Sequence, residues 1–68
     1  MSNISSLAYV HPNVEIKEDV IVEPFAYIED NVVIGAGTRI MPHACIMSGA
    51  RIGENCTIFP NAVISGIP

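Results

Sequence analysis

Few residues in this chain have chemical capacity: the histidines His11 and His43, the thiols Cys45 and Cys56, and the carboxylates Glu15, Glu18, Asp19, Glu23, Glu29, Asp30 and Glu54. An imidazole suits general-base work or metal ligation, a thiol nucleophilic attack, and a carboxylate pair acid–base hydrolysis. Each use needs partners held at a set distance, so spacing decides among them. Cys45 and Cys56 lie 11 apart with no C-x-x-C partner, and two cysteines are too few for a disulfide scaffold. A zinc centre built on histidines would need a third. Gly35, Gly37, Gly49, Gly53 and Gly66 are dispersed, with no Gly-rich loop opening a helix to cradle phosphate.

Composition narrows the field further. With 68 residues, half of them hydrophobic, the chain allows one small domain at most. Lys17, Arg39 and Arg51 stand against seven acidic residues for a net charge of −4, so no basic stripe exists to neutralise phosphates. Nucleic acid and anionic membrane are poor partners on that ground, and no binding to DNA is expected. Apolar runs such as Val20 to Val22 fall far short of the roughly 20 residues a membrane span needs, and no basic-then-apolar leader opens the chain. The expectation is a cytoplasmic protein with free thiols and no membrane insertion.

The elements that position these residues follow from a repeat. Counting by six from Ile4 gives Ile4, Val10, Ile16, Val22, Ile28, Ile34, Ile40, Ile46, Ile52, Ile58 and Ile64, all aliphatic, although Ile, Val and Leu make up only about 28% of the chain. Two places before each from Val10 onward stands a small or short residue: Ala8, Val14, Val20, Ala26, Val32, Thr38, Ala44, Ala50, Cys56 and Ala62. Both positions should face inward. A helix cannot use this pattern, because at about 100° per residue six steps scatter the aliphatics over three faces. A flat strand fails too, since the position two after each aliphatic holds Ser6, Pro12, Glu18, Pro24, Asp30, Ala36, Pro42, Ser48, Glu54, Pro60 and Gly66, mostly turn residues. The position after that is Asn13, Asp19, Asn31, Gly37, Gly49, Asn55 or Asn61 in most hexads, types that accept positive φ. Each hexad is a short strand and a corner.

Three such units close a coil of eighteen residues, and Pro24, Pro42 and Pro60 recur at that period, as do Gly35 and Gly53. The predicted fold is all-β: a parallel β-helix, a triangular prism of about three and a half coils in which residues 1–68 form a single segment. Its inner ladders are Val10, Ile28, Ile46 and Ile64; Ile16, Ile34 and Ile52; and Ile4, Val22, Ile40 and Ile58.

On this frame His11 and His43, 32 apart, fall on different corners and cannot stack, which gives both a structural or solvent-exposed role. Cys45 points out and Cys56 in, so they do not pair. The carboxylates take outward or corner positions that solvate a surface, and Gly35 and Gly53 read as turn residues. Tyr9, Tyr27, Cys45, Met47 and Val63, with His11, Glu29 and Ser65, form an outward apolar strip that reads as a subunit contact rather than scattered hydrophobes. Leu7 replaces Asn or Gly at its corner and is expected to fold across the first coil as a plug. No counterpart covers Ile58 and Ile64, so the chain alone is expected to aggregate or to order only within a longer polypeptide or assembly.

The hexad register resembles the hexapeptide repeat of the left-handed parallel β-helix acyltransferases. The hand comes from that resemblance alone, since parallel crossovers are otherwise right-handed. Within that superfamily, Tyr9-Val10-His11-Pro12, Pro24-Phe25, Val33-Ile34-Gly35-Ala36-Gly37-Thr38, His43, Ile52-Gly53-Glu54-Asn55 and Ile64-Ser65-Gly66 resemble the N-terminal segment of the bacterial UDP-N-acetylglucosamine O-acyltransferases. The resemblance implies transfer of a 3-hydroxyacyl group from acyl carrier protein to the 3-hydroxyl of UDP-N-acetylglucosamine, the first step of lipid A biosynthesis, in a cytoplasmic homotrimer without cofactor or metal. It places the family's catalytic histidine beyond residue 68, so no catalytic residue is expected here and the chain reads as the N-terminal part of a longer β-helix domain. The competing reading is a non-catalytic scaffold or oligomerisation module. Ice binding would want outward threonine ladders, and only Thr57 is outward.

Overall fold

A computed structural model describes residues 2–65. Eleven strands of two or three residues follow one another: β1 (Asn3–Ile4), β2 (Tyr9–Val10), β3 (Val14–Ile16), β4 (Ile21–Val22), β5 (Tyr27–Ile28), β6 (Val32–Ile34), β7 (Arg39–Ile40), β8 (Cys45–Ile46), β9 (Arg51–Ile52), β10 (Thr57–Ile58) and β11 (Val63–Ile64). They sort into three sheets, β1-β4-β7-β10, β2-β5-β8-β11 and β3-β6-β9. Every pairing is parallel, and Ile4 pairs with Val22, Val10 with Ile28 and Ile16 with Ile34, an offset of 18 throughout. Consecutive strands therefore never pair. The long connection that parallel pairing demands is supplied by the two intervening strands and their corners. The predicted parallel β-helix and its three ladders are what the chain forms.

The alternation within each hexad sets the core. Val20, Val22, Ala26, Ile28, Val32, Ile34, Ile40, Ala44, Ile46 and Ala50 are at most 1% exposed. Each buried Val or Ile contributes about 1.5–3 kcal/mol relative to an exposed one, set against the conformational entropy lost on ordering. Val10, Val14 and Ile16 at one end, and Cys56, Ile58 and Ile64 at the other, are only partly buried, because each has a coil on one side alone. Thr38 is the buried polar residue of the core, and it is satisfied. Its hydroxyl donates to the Gly53 carbonyl at 2.8 Å and accepts the Cys56 amide at 3.2 Å.

The corners take left-handed residues at Asp19, Phe25, Asn31, Gly37, His43, Gly49, Asn55 and Asn61. This conformation turns the amide towards the preceding coil, where Phe25 donates to the Leu7 carbonyl, Asn31 to Asn13, Gly37 to Glu18 and Asn55 to Ala36. Asn13, expected to share it, does not. In the first coil the corner amides find side chains instead: Leu7 donates to Ser5 Oγ at 3.1 Å and Asn13 to His11 Nδ1 at 3.0 Å. The same bond corrects the expectation for Leu7. It is 61% exposed and plugs nothing, its corner being set by the needs of its own amide. Ser2 ties the start of the chain down, donating to the Lys17 carbonyl at 2.8 Å and accepting from the Val20 amide at 3.2 Å.

Gly35 and Gly53 are also corrected, since neither has a positive φ. Gly35 is small because the backbone of the next coil crosses it: a Cβ there would stand 2.6 Å from the carbonyl carbon and oxygen of Gly53.

Candidate functional site

The prism presents three unlike faces. On the β3-β6-β9 face the outward residues are Glu15, Val33 and Arg51, and this face is held by charge. Lys17 pairs with Glu15, and the Arg51 guanidinium donates to the carbonyls of Asn31 at 2.6 Å, Gly49 at 3.1 Å and Ala50 at 3.2 Å. The Lys17 hydrogen bond and charge hold the Glu15 carboxyl below the usual carboxylate range. The shallow depression beside it, between Pro12 and Val33, offers Glu15 as its carboxylate. On the β1-β4-β7-β10 face Asn3, Ile21, Arg39 and Thr57 point out, and Arg39 Nε meets Glu23 Oε2 at 2.5 Å.

The β2-β5-β8-β11 face differs, for its outward column is Tyr9, Tyr27, Cys45 and Val63, with no charge in it. Strand pairing places Tyr27 directly over Tyr9, and their rings stack with centroids 5.0 Å apart and planes 21° apart. Removal of water by these neighbours pushes the Tyr27 phenol up, and Glu29, Tyr9 and Cys45 push it further. Glu29 itself is tied by its Oε1 to the Ser48 amide at 2.9 Å.

The corner leading onto this face extends the apolar surface. Its column reads Leu7, Phe25, His43 and Asn61, and the Phe25 and His43 rings stack at 5.4 Å and 16°. Met41 and Phe59 stand beside them. Of the large hydrophobics that the described residues expose, all but Ile4 and Ile21 lie on this face or its corners: Leu7, Tyr9, Phe25, Tyr27, Met47, Phe59 and Val63.

The structure separates the residues with chemical capacity. His11 caps its own corner through Nδ1, while His43 lies on another corner, stacked on Phe25. Cys45 is half-buried beside Tyr27, and Cys56 packs against the end of the core with Sγ 3.7 Å from the Glu54 carbonyl; both are free. No group of three or more His, Cys, Asp or Glu is gathered in a metal-binding arrangement among the described residues. The apolar strip read from sequence included Tyr9, Tyr27, Cys45, Met47 and Val63 but missed Leu7, Phe25 and Phe59. Its overlooked signal was the bulk of Phe25 and His43, each after a proline, at a corner position that other hexads give to Asn, Asp or Gly.

Residues 31–66, just over half of the chain, match the bacterial transferase hexapeptide family (six repeats). The chain belongs to this family. No curated protein and no solved structure matches it. In the hexapeptide family's terms one repeat is one strand with its corner, and the matched stretch takes in β6 to β11. Three parallel sheets, with no helix among the described residues, are consistent with the left-handed parallel β-helix, and membership makes this a transferase-type hexapeptide β-helix.

Proposed function

We propose that the chain is the N-terminal β-helix portion of an acyltransferase that moves a 3-hydroxyacyl group from acyl carrier protein to the 3-hydroxyl of UDP-N-acetylglucosamine, the first step of lipid A biosynthesis, as a cytoplasmic homotrimer. The observation that carries the reading is the hexapeptide match over residues 31–66, joined to the likeness of Tyr9-Val10-His11-Pro12 and Ile52-Gly53-Glu54-Asn55 to the start of those enzymes. In such a reaction the sugar hydroxyl loses a proton as it attacks the thioester carbonyl, and the thiol of the carrier's prosthetic arm leaves. On this reading the family's catalytic histidine lies beyond residue 68, and His11, which accepts from the Asn13 amide, and His43, stacked on Phe25, serve the corners. The role of this segment is to present a rigid, regular face on which the reacting part of the protein is built.

The test is an acyl-transfer assay with 3-hydroxyacyl carrier protein and UDP-N-acetylglucosamine, run on the 68-residue chain and on the polypeptide extended by further coils. Turnover by the extended polypeptide and none by the short chain is expected. No turnover from either would defeat the reading. A second reading, a non-catalytic assembly module, is favoured by the structural engagement of both histidines, and it predicts no turnover at any length.

A further inference from the structure

The first coil closes its corners with side chains. Ser2 Oγ accepts the Val20 amide and donates to the Lys17 carbonyl, Ser5 Oγ accepts the Leu7 amide at 3.1 Å, and His11 Nδ1 accepts the Asn13 amide at 3.0 Å. Two of the three closures use hydroxyls, which keep one form across the ordinary pH range. The third uses an imidazole, which accepts at Nδ1 only while that nitrogen carries no proton. Pro12, between His11 and Asn13, holds its φ at about −65° and has no amide to compete for the ring.

The Asn13 corner also supports the coils above it. Its carbonyl accepts the Asn31 amide at 3.0 Å, and the Asn31 carbonyl accepts the Arg51 guanidinium at 2.6 Å. One line of hydrogen bonds therefore climbs from His11 through three coils to Arg51. The foot of this line differs in backbone from the residues stacked on it: Asn31 and Gly49 are left-handed at φ 57° and 83°, and Asn13 is not. The His11 bond accounts for the difference, because it draws the Asn13 amide back to its own hexad.

We propose that His11 is a proton-operated latch on the first coil: the neutral ring closes the Asn13 corner, and the imidazolium, with a proton on each nitrogen, releases it. The latch acts whichever reaction the rest of the polypeptide performs.

The surroundings receive the released ring. Strand register sets Glu29 of β5 over His11, and only Oε1 of that carboxylate is taken up by the Ser48 amide. The other titratable groups about the ring are Tyr9 and Tyr27 on the same face, Asp30 at the corner above Pro12, and Glu15 on β3 past the turn. The cations of the neighbouring face are engaged, Lys17 by Glu15 and Arg51 by the corner carbonyls. An imidazolium that lets go of Asn13 thus meets carboxylates and turns to Glu29. The bond to Asn13 is present in full at high pH and is lost as pH falls through the range in which an imidazole takes up its second proton, about pH 8 to 5.

Residue-resolved amide hydrogen exchange of the 68-residue chain at pH 8 and pH 5, corrected for the intrinsic pH dependence of exchange, tests this. Protection of the Asn13 amide should fall about three- to tenfold at the lower pH, the worth of one hydrogen bond. The Leu7 amide, held by the Ser5 hydroxyl, should keep its protection. His11→Asn supplies an acceptor that also reaches two residues on but does not titrate, so Asn13 should stay protected at both pH values. His11→Phe should leave it unprotected at both. Protection at Asn13 that does not change with pH in the wild type, that falls equally in His11→Asn, or that falls together with Leu7 would overturn the latch. The ring nitrogen shifts of the wild-type chain decide the matter if a variant misfolds: Nδ1 must be the unprotonated nitrogen of His11 at pH 8, and a proton on it there would refute the proposal.

Discussion

Gly35 lies against the backbone of Gly53 one coil on, so close that a Cβ on Gly35 would come within 2.6 Å of the Gly53 carbonyl. A Cβ on Gly53 would meet only Cys56 Sγ, at 4.0 Å. The two glycines, eighteen apart and alike in sequence, are therefore unequal. Gly35→Ala must push two coils apart and should cost about 1–3 kcal/mol, the range for overpacking. Gly53→Ala should cost well under half of that. Chemical denaturation of the two variants reads the difference.

Thr38 makes a second inter-coil link, through a hydroxyl that serves both the Gly53 carbonyl and the Cys56 amide. Thr38→Val keeps the shape and strands both backbone groups, for an expected loss of about 1–3 kcal/mol. Thr38→Ser should retain most of the stability. Equal losses in the two variants would show that the methyl group, not the hydroxyl, matters there.

The ladders were legible because burial acts on side-chain chemistry: Ile28, Ile34, Ile40 and Ile46 had to be covered, and one register covered all of them. Inward Cys56 and outward Cys45 followed from the same alternation. Contacts between coils were not legible, since the tightness at Gly35 depends on how two backbones stack and leaves no local mark. Leu7 was misread because a first-coil corner has no carbonyl beneath it, so its amide turns to Ser5 and the side chain stays in water. The Phe25–His43 corner was missed because conformational preference argues against aromatics at positive φ.

The inward assignment predicts a severe result for Ile34→Asp or Ile46→Asp. Either buries an unpaired carboxylate between coils at a cost of several kcal/mol, in a domain whose whole stability is of order 5 kcal/mol. Far-UV circular dichroism should show loss of the cooperative β-sheet transition. Glu54→Ala, on an exposed corner, should be nearly silent.

Two groups give the fold a pH dependence. Glu15 titrates below its ordinary value because of Lys17, so its contribution is present above the unfolded carboxylate pKa and is lost as pH falls through the folded one. Glu15→Gln should flatten the acid limb of the melting profile slightly. Tyr27 titrates above its ordinary value of about 10, so its contribution is present below that pH and is lost as pH rises through the folded value. Tyrosinate absorbance of the native chain should rise later for Tyr27 than for free tyrosine, and Glu29→Gln should bring that rise earlier. An unshifted titration would contradict the packing described for this face.

The eighteen-residue coil sets every contact between strands, and nuclear Overhauser contacts between backbone protons measure it directly. Contacts are predicted between Val10 and Ile28, between Ile28 and Ile46, and between Ile34 and Ile52, all in parallel register. Cross-strand contacts at any other separation, or antiparallel pairing between neighbouring hexads, would contradict the coil and everything built on it.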